Sequence, residues 1–464
     1  MALLTPLIHF WGKRSGTWPR RKAAIGEVPQ IVNIAILVPD QRTASIRGAR
    51  KSGNIMSRWI PAATLAFALP ACGLANVDTS PRPSARPAVL AQPQTGNFDA
   101  WRSGFATRAL GAGITQATLD RSLPVMQLLP ETVALDRRQS EFGARIWDYM
   151  DSTVSSARIS QGQSALRRHA DVLNRIESRY GVPPEILVAI WGIESSYGAN
   201  RGGTQTLATL ATLAKDGRRG EFFEAQLLDA LRIVQAGDIS PQAMIGSWAG
   251  AFGHMQFMPS SFLTYAVDFT GNGRRDVWAD DPSDALASAA NYLARRGWTR
   301  GQPWAREVVL PDGFDLRLTG QAQAVSAWTN AGVRAAAGAP LQSGQARLVL
   351  PGGARGPAFL TYGNYDALKE YNLSDAYVLA VGHLSDRLRG DGALRGSWPR
   401  GDRALTQDER RALQRRLNTL GHDTGGVDGR IGPATIAAVQ AWQKTQGLAP
   451  DGYVNADLLR QLLP

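Results

Sequence analysis

Glu194 stands in the stretch AIWGIESSYG, residues 189–198, as the one acid after the apolar series Ile186, Leu187, Val188, Ala189, Ile190 and Ile193. On a helix, such a series leaves few waters around the carboxyl. Desolvation penalises the charged form and raises a carboxyl pKa, and an acid still protonated near neutral pH can serve as a general acid. The bland alternative is an N-cap or a surface glutamate of an ordinary core helix. Burial alone favours chemistry only weakly, so other groups must converge on the same place.

A second segment, GSWAGAFGHMQFMPSSFLTYAVDF at 246–269, concentrates Gly, aromatics and uncharged polar groups with no acid before Asp268. This is the composition of a carbohydrate cleft. Flat faces of Trp248, Phe252 and Phe257 would stack on sugar rings, while Ser247, Gln256 and Ser260 would bond hydroxyls and amides. A Gly-rich helix-packing turn is the competing reading. A third segment, EYNLSDAY at 370–377, supplies Tyr371, Asn372 and Tyr377. His169, His254, His383 and His422 show no metal-ligand spacing, and no phosphate loop or Ser-His-Asp arrangement stands out, so Glu194 has no rival chemistry.

GIESSYG, GSWAGAFGHMQFMPSSF, ANYLARRGW at 290–298 and EYNLSDAY together resemble the lytic murein transglycosylases of the membrane-bound B type, over roughly residues 98–390. The resemblance implies a mainly helical, lysozyme-like fold and a cleft for a glycan strand. It implies that Glu194 protonates the oxygen between N-acetylmuramic acid and N-acetylglucosamine, then withdraws the proton of the muramyl C6 hydroxyl. That hydroxyl attacks C1, closing a 1,6-anhydro ring without water. Hydrolytic glycosidases usually need two carboxylates about 5 to 9.5 Å apart; here one acid suffices, because the substrate supplies the nucleophile.

By matching motif positions the resemblance carries over Ser247, Gln256, Tyr292, Tyr371, Asn372 and Tyr377 as cleft residues. Gln256 and Asn372 would orient acetamido groups, and Tyr292 would stack or hydrogen-bond near Glu194. No cofactor is required. The segment DFTGNGRRDVWADDPSDA at 268–285 resembles a calcium-binding loop, with Asp268, Thr270, Asn272 and a later acid such as Asp284 as candidate ligands for a structural Ca²⁺. Thr270 and Asn272 lower its ligand charge and Arg274 and Arg275 oppose a cation, so the site would be weak. Two other functions stay open: a hydrolytic muramidase with Asp268 or another acid as second carboxylate, and a wall-binding protein without catalysis.

The elements that must hold these groups are mainly helical. SALRRHADVLNRIESRYG, 164–181, places Leu166, Val172, Leu173, Ile176 and Tyr180 on one face of a helix closed by Gly181, and Pro183 and Pro184 open the next. The stretches 308–318 and 346–350 read as β, giving a small sheet beside the helical body. A Gly/Arg/Asp-rich linker at 391–401 precedes a compact helical module at 402–464. There VDGRIGPATIAAVQAWQ and APDGYVNADLL each set Asp-Gly before a short helix, a weak internal repeat. The module resembles the peptidoglycan-binding domain of wall hydrolases, with Val439, Trp442 and Leu448 as its expected core.

The first 72 residues read as a leader. Residues 56–72, MSRWIPAATLAFALPAC, combine a basic start, an apolar stretch too short to span a bilayer, and a terminal cysteine. Leu69-Pro70-Ala71-Cys72 resembles a lipoprotein signal whose cysteine is lipidated, although proline at its second position departs from the usual pattern. Cys72 is the only cysteine, which rules out an internal disulfide. The start codon is then expected near Met56, with 73–97 as a Pro-rich tether. Of the formal charge of +12, the leader carries the larger part, leaving about +4, too little to argue for nucleic acid. The expected setting is the periplasm, on the outer membrane if the lipid is attached, with peptidoglycan strands as partner.

Overall fold

The computed structural model describes residues 95–139, 145–337 and 340–463. The leader, Cys72 and the tether up to residue 94 lie outside the described residues. Among those described, no helix is long and apolar enough to cross a membrane.

The chain is mainly helical, and its hydrophobic residues sort into separate cores. The largest joins helices from Thr95–Gly111 to Asp375–Arg389. Its centre is the Pro184–Ser195 helix, where Ile186, Leu187, Val188, Ala189, Ile190 and Trp191 are all buried. Buried apolar residues lie all round this helix, so its neighbours cover every side. The Asp375–Arg389 helix lies along it, and Ile146–Thr153 packs against Asp375–Arg389 in turn. Pro184 starts the central helix at a position where a missing N–H costs nothing.

The stretch 164–181 is not one helix. It breaks at His169 (φ −110°, ψ 20°) into Ser156–Arg168 and Ala170–Tyr180. The His169 ring lies edge-on to Trp191, with centroids 5.4 Å apart. Tertiary packing against Trp191 therefore accompanies a bend where helical periodicity alone reads straight through. Gly181 ends the second helix in the left-handed region (φ 74°), as its type predicts.

The sheet is larger than the two stretches suggested. Five antiparallel strands run in the order Ala322–Ala324, Gln345–Val349, Ala358–Thr361, Ala305–Val309, Arg334–Ala335. Trp328 and Leu360 fill a core of their own on this sheet. Leu316–Leu318, read as strand, is instead a short 3-10 turn capped by Asp315.

The terminal module has the third core, built on Leu413, Leu417, Val439, Trp442 and Leu459. Leu448, expected inside, is 39% exposed. A capping box of Thr406 and Glu409 opens its first helix. The internal repeat is visible as two copies of one clamp. Gln414 accepts the Gly429 N–H (2.7 Å) and donates to Asp428 (3.0 Å); Gln443 accepts the Gly452 N–H (2.9 Å) and donates to Asp451 (2.8 Å). The Asp-Gly pairs are turn chemistry locked by a buried glutamine.

Candidate active site

Glu194 occupies the last turn but one residue of the Pro184–Ser195 helix. The backbone then turns sharply: Ser196 (φ 50°), Tyr197 (φ 59°) and Gly198 (φ 84°) are all left-handed. For Ser and Tyr this is strained, at roughly 1 kcal/mol or more each, and the surrounding contacts hold it. Ser195 Oγ donates to the His254 carbonyl (2.7 Å) and accepts the Gly198 N–H (3.1 Å). Tyr197 donates to the Arg158 carbonyl (2.6 Å). A Cβ at Gly192 would lie 2.6 Å from the Tyr197 ring, so the glycine of GIESSYG is what lets that ring fold back.

Glu194 as a residue keeps partial exposure, yet protein surrounds its carboxyl closely. Burial pushes its pKa up to about 8, against a smaller downward pull from the Tyr377 hydroxyl. That hydroxyl donates to Glu194 Oε1 at 2.6 Å. Tyr377 is itself buried, and burial, followed by the neighbouring Glu194 charge, holds its pKa well above the phenol range, so it remains a donor at any working pH.

An aromatic stack backs this pair. Tyr371 lies parallel to Tyr377 (6.4 Å, 4° between planes) and donates to the Met255 carbonyl at 2.7 Å. Tyr292 stands edge-on to Tyr371 at 5.0 Å, and its hydroxyl donates to the Glu370 carbonyl at 2.5 Å. Phe257 closes the cluster against both rings. The structure thus brings Glu194, Tyr377, Tyr371 and Tyr292 together. Tyr292 stacks and hydrogen-bonds beside Tyr371 and so supports the pair.

The Gly-rich segment forms a tight loop after Ile245–Gly246, closed by bridges between Gly246, Phe252 and Phe257. Gln256 sits in it with a left-handed backbone (φ 49°) and is 8% exposed. Its amide nitrogen donates to the Gly253 (2.9 Å) and Arg201 (3.2 Å) carbonyls, while its oxygen, buried, has no protein partner. Ser247 is buried, and its hydroxyl accepts the Ala251 N–H (3.2 Å), so it shapes the loop. Asn372 ends the Gly363–Tyr371 helix and accepts the Ser374 N–H at 3.0 Å. Phe252 is not a sugar platform: it is fully buried and stacked on Trp278 at 4.6 Å. Trp248 retains partial exposure.

Sequence reasoning missed several groups. Tyr149, on Ile146–Thr153, has its pKa raised by burial and then by the Glu194 charge. His254 accepts from Trp191 Nε1 (3.0 Å) and meets the Ala279 carbonyl through Nε2 (2.6 Å). Burial lowers its pKa, and the two contacts fix it as a neutral strut between the Glu194 helix and the loop. Tyr149 lies in no motif, and His254, although inside the Gly-rich motif, is read from sequence only as a candidate metal ligand.

The 268–284 loop is held by its own acids. Asp268 Oδ1 accepts the N–H groups of Gly271 (2.7 Å) and Asn272 (3.1 Å), and Oδ2 that of Gly273 (2.7 Å). Asp284, 2% exposed, points at the loop from the helix Ser283–Arg295 and accepts N–H groups of Phe269, Thr270 and Asp276 at 2.9 to 3.0 Å. Its role is bracing the loop, not presenting free oxygens to a cation. The twelfth loop position, where a calcium loop has a bidentate acid, is Ala279. Among the described residues no group of three or more His, Cys, Asp or Glu could hold a metal. The residues present do not fit a calcium ion of that type.

Residues 97–386 match the family described as the Transglycosylase SLT domain, which is more than half of the chain. The chain belongs to this family. Residues 406–462 match a putative peptidoglycan binding domain. Membrane-bound lytic murein transglycosylase B of Escherichia coli is 36% identical over 225 residues, 47% of this chain and 62% of that relative's length. SltB3 from Pseudomonas aeruginosa, solved in complex with NAG-anhNAM-pentapeptide, is 47% identical with a TM-score of 0.76, over 79% of this chain and 99% of that one. Slt35 of Escherichia coli, solved in complex with calcium, is 31% identical with a TM-score of 0.53, over 64% of this chain and 93% of that one.

Proposed function

We propose that this SLT-family chain is a lytic transglycosylase that cleaves the N-acetylmuramic acid to N-acetylglucosamine bond of peptidoglycan and leaves a 1,6-anhydro end. The observation that carries this reading is a single carboxyl, Glu194, still protonated at neutral pH and held by one phenol. Membership of the family and the anhydro-sugar complex of SltB3 support it.

In the first half, the Glu194 proton passes to the glycosidic oxygen and the C1–O bond opens. The carboxylate left behind keeps the Tyr377 hydrogen bond, which favours the charged form. In the second half, that carboxylate takes the proton of the muramyl C6 hydroxyl as its oxygen bonds to C1. Glu194 ends protonated, ready for the next cycle, and no water enters the balance. Tyr371, Asn372, Gln256 and Ser247 we read as cleft residues. The unpartnered Gln256 oxygen suits an acetamido N–H, and a buried acceptor without a partner costs about 1–3 kcal/mol.

A hydrolase would need a second carboxylate to activate water, and Asp268 is engaged by backbone N–H groups of its own loop. Digestion of purified sacculi in ¹⁸O-water separates the two. A transglycosylase releases products one water lighter than the hydrolytic ones and free of label, whereas labelled reducing ends would mean a muramidase.

The wider reading has residues 98–390 as the catalytic domain, 391–401 as linker and 402–464 as a module that keeps the enzyme on the wall. Calcium, carried by Slt35, would add little here. Action in the periplasm, with Cys72 as a lipid anchor, fits the leader; Cys72→Ala should then move the protein from the membrane fraction to the soluble one.

A further inference from the structure

The linker to the terminal module touches the Ile146–Thr153 helix, which carries no motif and packs on the helix that bears Tyr377. Arg145, at the N-terminal end of Ile146–Thr153, grips Asp148 with two bonds (2.6 and 3.0 Å) and donates to the carbonyls of Arg400 (3.3 Å) and Asp402 (2.8 Å). At the other end, Arg400 forks onto Asp151 (2.6 and 3.1 Å). Between them Trp398 lies against the buried Trp147, with centroids 6.0 Å apart. An eight-residue helix has little stability of its own, and this one is held from outside at both ends.

The same linker segment is tied to the module. The Asp402 carboxylate accepts from Arg355 on the catalytic body (2.8 Å) and from Asn455 on the module (3.0 Å). Asp451 Oδ2, on the second clamp of the module, accepts the Ala354 N–H at 2.9 Å. Gly353 beside it is left-handed (φ 68°), and a Cβ there would meet Tyr453 Cβ at 2.7 Å. On its inner face the held helix buries Met150 and packs on the Asp375–Arg389 helix, which carries Tyr377.

We propose that the linker is a positioning element of the active site: Arg145 and Arg400 fix the Ile146–Thr153 helix, so that seating of the terminal module sets, through the neighbouring Asp375–Arg389 helix, where Tyr377 stands against the acid. This rests on the transglycosylase reading for its kinetics but not for its structural readout. Exposed ion pairs contribute little to stability, so the bonds act by restricting the helix rather than by holding the fold.

The test uses the full chain with Arg145→Gln, Arg400→Gln and the double variant, assayed on a short soluble muropeptide that one cleft can hold without the module. Misplacement of catalytic groups by fractions of an ångström lowers turnover, so kcat should fall about five- to ten-fold in each single variant with KM within about two-fold. The double variant should lose less than the product of the two, because both act on one helix. Swapping the pair, Arg400→Asp with Asp151→Arg, should restore most of the lost turnover. Independently of activity, amide exchange of residues 146–153 should speed up about ten-fold in Arg400→Gln while 184–195 keeps its protection. Unchanged exchange of 146–153, or unchanged kcat in both single variants, overturns the proposal. Absence of product from the wild-type chain would overturn the transglycosylase reading instead, leaving the exchange result to decide this one.

Discussion

Two regions of this chain place carboxylates in sheltered positions, and the chain treats them in opposite ways. Around Glu194, among the described residues, one phenol donates to the acid, and burial wins: the pKa rises to about 8. In the 268–284 loop Asp268 and Asp284 each accept three backbone N–H groups. Burial pulls the Asp268 pKa upward, but the N–H groups of Gly273, Gly271 and Asn272 outweigh it and the value falls below the usual range. Depth and donor count act together: Glu194 is deeply surrounded and has one donor, whereas Asp268 lies near the surface and accepts three backbone N–H groups. One arrangement suits a proton donor, and the other suits a structural clamp.

The contrast can be broken from the catalytic side first. Glu194→Gln removes both halves of the proposed proton transfer, so turnover should fall by about 10⁴-fold or more while the fold persists; release of soluble muropeptides measures it. On the structural side, Asp284→Ala leaves three part-buried N–H groups without their acceptor and should cost about 2–3 kcal/mol of unfolding free energy. Urea titration would read it, and a variant as stable as the wild type would remove the clamp from the account.

A third prediction joins the two measurements. The Glu194 pKa is raised from 4.5 to about 8 in the folded protein. The unfolded chain then releases this proton first, and the folded state loses stability as pH rises from about 4.5 to 8. Glu194→Gln should therefore be the more stable protein above pH 8, by about 2–4 kcal/mol, with no difference below pH 4.5. Stability against pH for both proteins tests this without any substrate.

Tyr377→Phe removes a hydrogen bond that favours the carboxylate. The Glu194 pKa should rise further, the alkaline limb of kcat/KM should move to higher pH, and turnover should drop about 10- to 100-fold because the carboxylate formed midway loses its donor. A limb that stays in place would separate Tyr377 from the acid. Millimolar calcium should have the smallest effect, moving the melting temperature by less than about 2 °C, since the loop oxygens already have partners. A larger rise would mean that the loop reorganises around the ion.

Glu194 was legible because a run of core residues leading into one acid is a local pattern, and Gly192 and Pro184 mark the same helix. The left-handed turn after it was not, since Ser196 and Tyr197 are not residue types that announce positive φ. Aromatic composition located the cleft but could not assign its rings: Phe252 went into the core against Trp278, while Tyr377 reached the acid. Tyr149 was invisible, because it arrives from a separate helix 45 residues earlier in the chain. The Asp268 loop showed its ligand-like oxygens in sequence, but only the fold reveals that backbone N–H groups already occupy them. The same holds for Leu448, whose apolar type fits a core that the module completes without it.

The most direct test is the protonation state of Glu194 itself, read as the carboxyl band in difference infrared spectra of wild type against Glu194→Gln across pH. A protonated carboxyl that persists at pH 7 and disappears with a midpoint near 8 is the result this account predicts. A group fully ionised by pH 6 would contradict it, leaving the cleft without its proton donor.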